Sequence, residues 1–182
     1  TNNQATDNYC TVGGGGGNQA GDNNSTMDDA TYATVSGGRN NTASEIYSFV
    51  GGGDGNVAMG GYSVLSGGWE NYASGNYSAV GGGYSNTASG NFSVVGGGYG
   101  NNAIGATCFV GGGIGNSASG ENSVIGGGGY NSTNDCNYAT VPGGSYNISL
   151  GDNSFAAGSH TQAINDGCFV WGDDSTTSYV NC

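Results

Sequence analysis

Lysine is absent from this 182-residue chain, and Arg39 is its single basic side chain apart from His160. Proline is also nearly absent, with Pro142 alone, and charged residues make up 8% of the total. Each shortage excludes something. A chain with one arginine and a formal charge of −12 cannot neutralise phosphates, so no nucleic-acid partner is expected. An anionic lipid surface is excluded for the same reason. No run of 18 apolar residues exists, so no membrane-spanning helix is expected. The missing lysine also removes any phosphate-binding loop of the Gly-Lys-Ser/Thr kind. The chain opens Thr1-Asn2-Asn3-Gln4 without methionine and reads as a mature or trimmed product.

What is abundant is glycine, at 41 residues, together with Asn, Ser, Thr and Tyr. The glycines come in clusters of three rather than at every third position, which rules out collagen. Aromatics at 10% and regularly placed aliphatics do not fit a disordered chain. The five cysteines, in so polar a composition, point to export into an oxidising environment.

The organising feature is an internal repeat. The phrase YSAVGGGYSNTASG, Tyr77–Gly90, returns in variant form before and after itself. Its central aliphatic falls at Val50, Leu65, Val80, Val95, Val110 and Ile125, a fixed period of fifteen. That is too short for helical hairpin repeats and falls in the range of β-solenoid coils. A degenerate first coil occupies residues 1–21, around Val12. The next aliphatic is Val35, eight positions later than one period allows, so a loop is inserted, with 22–29 its natural place. The array covers 32–172, its last spacings drifting to 16, 15 and 14 at Val141, Ala156 and Val170. Residues 173–182 form a tail of little pattern. The whole is one domain.

Each coil reads as two short strands and two turns. Strand one is Y-S-x-V, rich in aromatic and β-branched residues. The glycine cluster after it supplies positive φ and close approach. Strand two is N-x-A-S/I-G, with Asn and Gly at its borders as turn residues. No 3.6-residue apolar period appears, so no helix is expected.

Stacking coils turns repeat positions into columns. One small column runs Cys10, Ala33, Ser48, Ser63, Ser78, Ser93, Cys108, Ser123, Ala139, Ser154 and Cys168. Two residues on lies the aliphatic column, on the same face of the strand. The alanines Ala43, Ala58, Ala73, Ala88, Ala103 and Ala118 face it from strand two. Between the inward columns lie Phe49, Val64, Ala79, Val94, Phe109, Val124, Phe155 and Phe169, pointing outward, with Tyr47, Tyr62, Tyr77 and Phe92 two positions earlier. A strand apolar on both faces is the pattern of one buried on both sides. The outward strip Phe49, Val64, Val94, Phe109 and Val124 therefore reads as a self-association surface. The other reading is that these are simply good solvent-facing strand formers.

The phrases S-V-V-G-G-G, N-x-A-S-G and S-F-A-A-G resemble the YadA-like head repeats of trimeric autotransporter adhesins. Ser154–Gly158 followed by Cys168-Phe169-Val170-Trp171 is similar to the end of many bacterial surface proteins with such repeats. The resemblance covers Tyr9 to Asp173. It implies a left-handed parallel β-roll with three chains side by side. The departures are a repeat of 15 against about 14 in that family, and no basic neck, stalk or anchor barrel. No receptor is implied.

Chemistry is sparse. His160 is the one histidine, without a matching partner in sequence, and reads as a surface residue. No Gly-x-Ser-x-Gly elbow precedes a helix. No enzyme activity, cofactor or catalytic residue is expected. Gly51–Asn56 superficially matches a calcium-binding repeat phrase, but its aspartate does not recur. Asp28 with Asp29, or Asp173 with Asp174, are the pairs able to hold one hard cation, although charge runs are usually just solvated. Glycosylation sequons begin at Asn23, Asn24, Asn40, Asn76, Asn91, Asn131 and Asn147, most of them in expected turns.

Cys182 follows Cys168 by about one coil, which places both in one inward column. Coils about 4.8 Å apart bring such Cα atoms within disulfide range. A Cys168–Cys182 bridge is expected. Cys108 is expected as a buried free thiol. Cys10 and Cys136 lie too far apart to meet within one chain and are free or paired with another subunit.

The expected function is an extracellular or cell-surface structural or adhesive module, a rod of about 5 nm from eleven or so coils. It would associate with itself, as a trimer, end to end, or both. The alternatives are a module binding host or surface glycans through tyrosine columns, an ice-binding solenoid, or a phage or virus fibre segment. No outward column is threonine throughout, as ice binding would want.

Overall fold

The computed structural model describes residues 1–24, 26, 28–173 and 180–182. It is an all-β parallel solenoid of about 11 turns, with coils of about 15 residues. Among the described residues there is no helix.

Two long parallel ladders carry the coils. The first contains Thr11–Val12, Thr34–Val35, Phe49–Val50, Val64–Leu65, Ala79–Val80, Val94–Val95, Phe109–Val110, Val124–Ile125 and Thr140–Val141. It ends in two five-residue strands, Phe155–Ser159 and Phe169–Asp173. The register is one coil per step, so Val80 lies beside Leu65 and Val95. The second ladder runs from Gln4–Ala5 through Thr87–Ala88 to Ser117–Ala118. Single bridges at Ser132 carry it on to Ile148–Ser149, Thr161–Ala163 and Val180–Asn181. A third line of one-residue bridges joins Arg39, Asp54, Trp69, Tyr84, Tyr99, Ile114 and Gly129.

The core is thin and repetitive. Val35, Val50, Leu65, Val80, Val95, Val110, Ile125 and Val141 are fully buried, facing Ala43, Ala58, Ala73, Ala88, Ala103 and Ala118. The small column beside them is buried as well from Ala33 onward, with Cys10 half-buried at its start. The hydroxyls of Ser63, Ser78 and Ser93 have no hydrogen-bond partner. Those of Ser48, Ser123 and Ser154 donate to the carbonyls of Glu45, Cys136 and Gly151. Small volume is thus what the whole column shares with Ala33, Ala139 and Cys108, and the hydroxyl is used in some coils only.

Three boundaries differ from the sequence reading. Strand one is only two residues long, because the aromatic before it turns a corner. Tyr47, Tyr62, Tyr77 and Phe92 sit at φ of 54°, 60°, 58° and 59°, a left-handed conformation rare for bulky side chains. The first coil is preceded by half a coil, since Gln4–Ala5 pairs with Gln19–Ala20. The tail also joins the array, since Val180–Asn181 pairs with Thr161–Gln162.

Candidate functional surfaces

The residue that organises each turn is the asparagine that precedes strand two. Asn18, Asn41, Asn56, Asn71, Asn86, Asn101, Asn116, Asn131 and Asn147 are all buried. Each side-chain oxygen accepts the backbone N–H of the next asparagine, at 2.9–3.0 Å from Asn41 through Asn147. The line begins at Asn3, which accepts from Asn18, and ends at Thr161, which donates to Asn147. Each carboxamide nitrogen donates to two glycine carbonyls. For Asn101 these are Gly97 of its own turn, at 2.9 Å, and Gly113 of the next coil, at 2.8 Å. The Asn and the glycine cluster are thus one device. The glycine bends at positive φ so that its carbonyl meets the amide above it. Turn propensity accounts for Asn at that place but not for its burial. The signal that reveals the ladder is its recurrence at one phase, as G-x-x-N, in coil after coil.

The outward strip lies where expected. Phe49, Val64, Ala79, Val94, Phe109 and Val124 are successive partners in the first ladder. They are half-buried or exposed, with Phe109 at 43% and Val64 at 41%. Phe155 and Phe169 extend the same line, their rings stacked at 4.8 Å.

The aromatics form further columns. Tyr9, Tyr32, Tyr47, Tyr62, Tyr77 and Phe92 stack in one ladder with centroids 4.7–5.1 Å apart. Trp69, Tyr84 and Tyr99 make a second, and Tyr130, Tyr146 and His160 a third. The rings turn their faces to one another and present edges and hydroxyls outward. Sugar stacking of the kind expected for tyrosine columns needs a free ring face, and only the rings at the ends of each ladder keep one. His160 also pairs through Nδ1 with the Ser159 hydroxyl at 2.9 Å.

Cys168 and Cys182 are disulfide-bonded, with Cα atoms 6.2 Å apart. The route is not the expected one. Val180 and Asn181 register with Thr161 and Gln162, so Cys182 continues the column of Ala163, across the coil from Cys168. The two cysteines therefore do not share a column. The reason is the offset between Thr161 and Val180, four positions longer than the regular coil. A closed loop of this size stabilises by about 3 kcal/mol on a chain-entropy estimate. Non-reducing peptide mapping should recover the Cys182 peptide joined to that of Cys168; a free Cys182 thiol in native material contradicts the pairing. Cys10, Cys108 and Cys136 are free within the chain. Burial pushes the Cys108 thiol above its usual range, and the thiol donates to the Gly120 carbonyl. It is thus poorly ionised and slow to react at neutral pH.

The sequons divide. Asn23, Asn24, Asn40, Asn76 and Asn91 are exposed. Asn131 and Asn147 are not turn-surface residues but buried members of the amide ladder, at 1% and 0% exposure. Their side-chain nitrogens are committed to Gly127 and Gly144, and to Gly143 and Gly158, so neither can carry a glycan in this fold.

The acidic residues also regroup. Arg39 pairs with Asp54 of the next coil, and its guanidinium holds that carboxyl below the usual range. Asp29 does not pair with Asp28. One carboxylate oxygen each from Asp7, Asp22 and Asp29 lie within 4.8 Å of one another, while Asp28 accepts from the Asn8 amide. Of the second expected pair, Asp174 lies outside the described residues. Comparison with protein-family models and with curated proteins returns no match.

Proposed function

We propose that this chain is an extracellular structural or adhesive element, a solenoid rod that works by associating with copies of itself. The observation that supports this is the outward apolar line through Phe49, Val64, Val94, Phe109 and Val124, which lies on the regular ladder and runs from coil to coil. The resemblance to YadA-like heads supports a side-by-side trimer, in which this face is covered. The outer edges of the terminal strands, Gln4–Ala5 beyond its pairing with Gln19–Ala20 first among them, offer a second, end-to-end contact. The role is passive: each coil's polar backbone is satisfied by its neighbours, and the rod displays a repeated surface.

Size-exclusion chromatography with light scattering tests the reading. Replacing Phe49, Val64, Val94 and Phe109 together with Ser leaves the inward columns untouched. The variant should keep its β circular dichroism and run as a monomer, while the parent runs as an oligomer. A variant with the parent's oligomeric mass would remove the strip from the account.

A further inference from the structure

We propose that Asp7, Asp22 and Asp29 bind one calcium ion, which fastens the inserted loop onto the first coil. Asp7 comes from the half coil before the array, and Asp22 and Asp29 from the two ends of the inserted loop, 22–29. One oxygen of each lies within 4.8 Å of the others, so a closing shift of a few tenths of an ångström at most brings all three to the roughly 2.3–2.6 Å of one calcium ion.

The second observation concerns Asp7. It is 7% exposed, and its Oδ1 has no hydrogen-bond partner, although Oδ2 accepts from the Asp22 backbone N–H and the Thr6 hydroxyl. A buried carboxylate oxygen without a partner is costly. No cationic side chain is available to relieve it, since the single arginine is held by Asp54. The N-terminal amine is occupied as well, donating to the Gly15 carbonyl. The donor set is oxygen only, with neither His nor Cys in the group, which selects a hard cation. The loop is pre-shaped around the third ligand. The Asn24 amide and the Thr26 hydroxyl donate to Asp29 and keep its carboxyl ionised below the usual range. Asn24 also donates to Asp22, tying two of the ligands together. Remaining ligand positions fall to water. This site is independent of self-association.

The test is calorimetric titration of calcium chloride into the metal-stripped full chain at about 0.15 M salt, where diffuse attraction to the −12 charge is screened. Saturable binding of one ion per chain is expected, with a dissociation constant of about 1 mM or tighter. Asp29→Asn, at an exposed position, should keep the parent's circular dichroism and bind at least about tenfold more weakly. Glu70→Gln, which removes an equal charge elsewhere on the rod, should bind within about twofold of the parent. Calcium should also raise the melting temperature of the parent and not that of Asp29→Asn. Absence of saturable heat, or equal weakening by Asp29→Asn and Glu70→Gln, would overturn the site.

Discussion

Asn86→Asp should destabilise the protein by about 4 kcal/mol or more at neutral pH. Asn86 is fully buried in the middle of the array. Its nitrogen donates to Gly82 at 2.9 Å, Gly98 at 2.8 Å and the Asn71 oxygen at 3.1 Å. A carboxylate turns those three contacts into repulsions between oxygens and keeps only the bonds from Asn101. The one arginine is engaged with Asp54 and cannot compensate. Burial raises the folded-state pKa of the introduced carboxyl above its unfolded value. Stability is therefore greatest below the unfolded pKa, near 4, and falls as pH rises toward the folded one, by about 1.4 kcal/mol per pH unit. Urea unfolding at pH 4 and pH 7 reads this directly. The parent should not show the same slope, and a variant equal to the parent at both pH values would mean that the amide ladder contributes nothing.

Gly98→Ala carries the second large effect, about 3 kcal/mol or more. Gly98 sits at φ 92°, and a Cβ there would lie 2.2 Å from the Gly113 carbonyl oxygen and 2.7 Å from the Asn101 amide nitrogen. The next coil must move away, which breaks the bonds that Tyr99 and Asn101 donate to Gly113. Gly100, two residues on, is the internal contrast. It sits at φ 64° with open space around the Cβ position. Its column already holds Asn40, Glu70, Ser85 and Tyr130 at positive φ. Gly100→Asn should thus cost no more than about 1 kcal/mol. Similar losses at both sites would contradict the role given to the third glycine of each cluster.

The repeat, the inward columns and the outward strip are legible in the sequence because each depends on side-chain size at a fixed phase. The period shows itself through Val50, Leu65 and Val80 without any knowledge of the turn geometry. The buried asparagines are not legible by propensity. Asn favours exposed turns and buried amide ladders alike, and only its hydrogen-bond partners separate the two. The corner tyrosines read as strand residues for a similar reason. Aromatics favour extended backbone on average, whereas here stacking on the ring below accompanies a left-handed φ. Counting coils assigns Cys182 to the column of Cys168, and the longer offset between Thr161 and Val180 shifts it to the facing column. The acidic triad is hidden because Asp7 and Asp29 are distant in the chain and meet only through the inserted loop.

The outward strip is the surface on which the proposed self-association rests. In a lone rod it keeps Val64 and Phe109 facing water. In the proposed assembly it would be the seam between copies, which would match the apolar pattern on both faces of strand one.

Sedimentation equilibrium of the parent chain at micromolar concentrations is the most direct measure of that seam. A discrete assembly is expected at a whole multiple of the 17.8 kDa chain mass, threefold for the side-by-side trimer. A single species of 17.8 kDa throughout that range would contradict it.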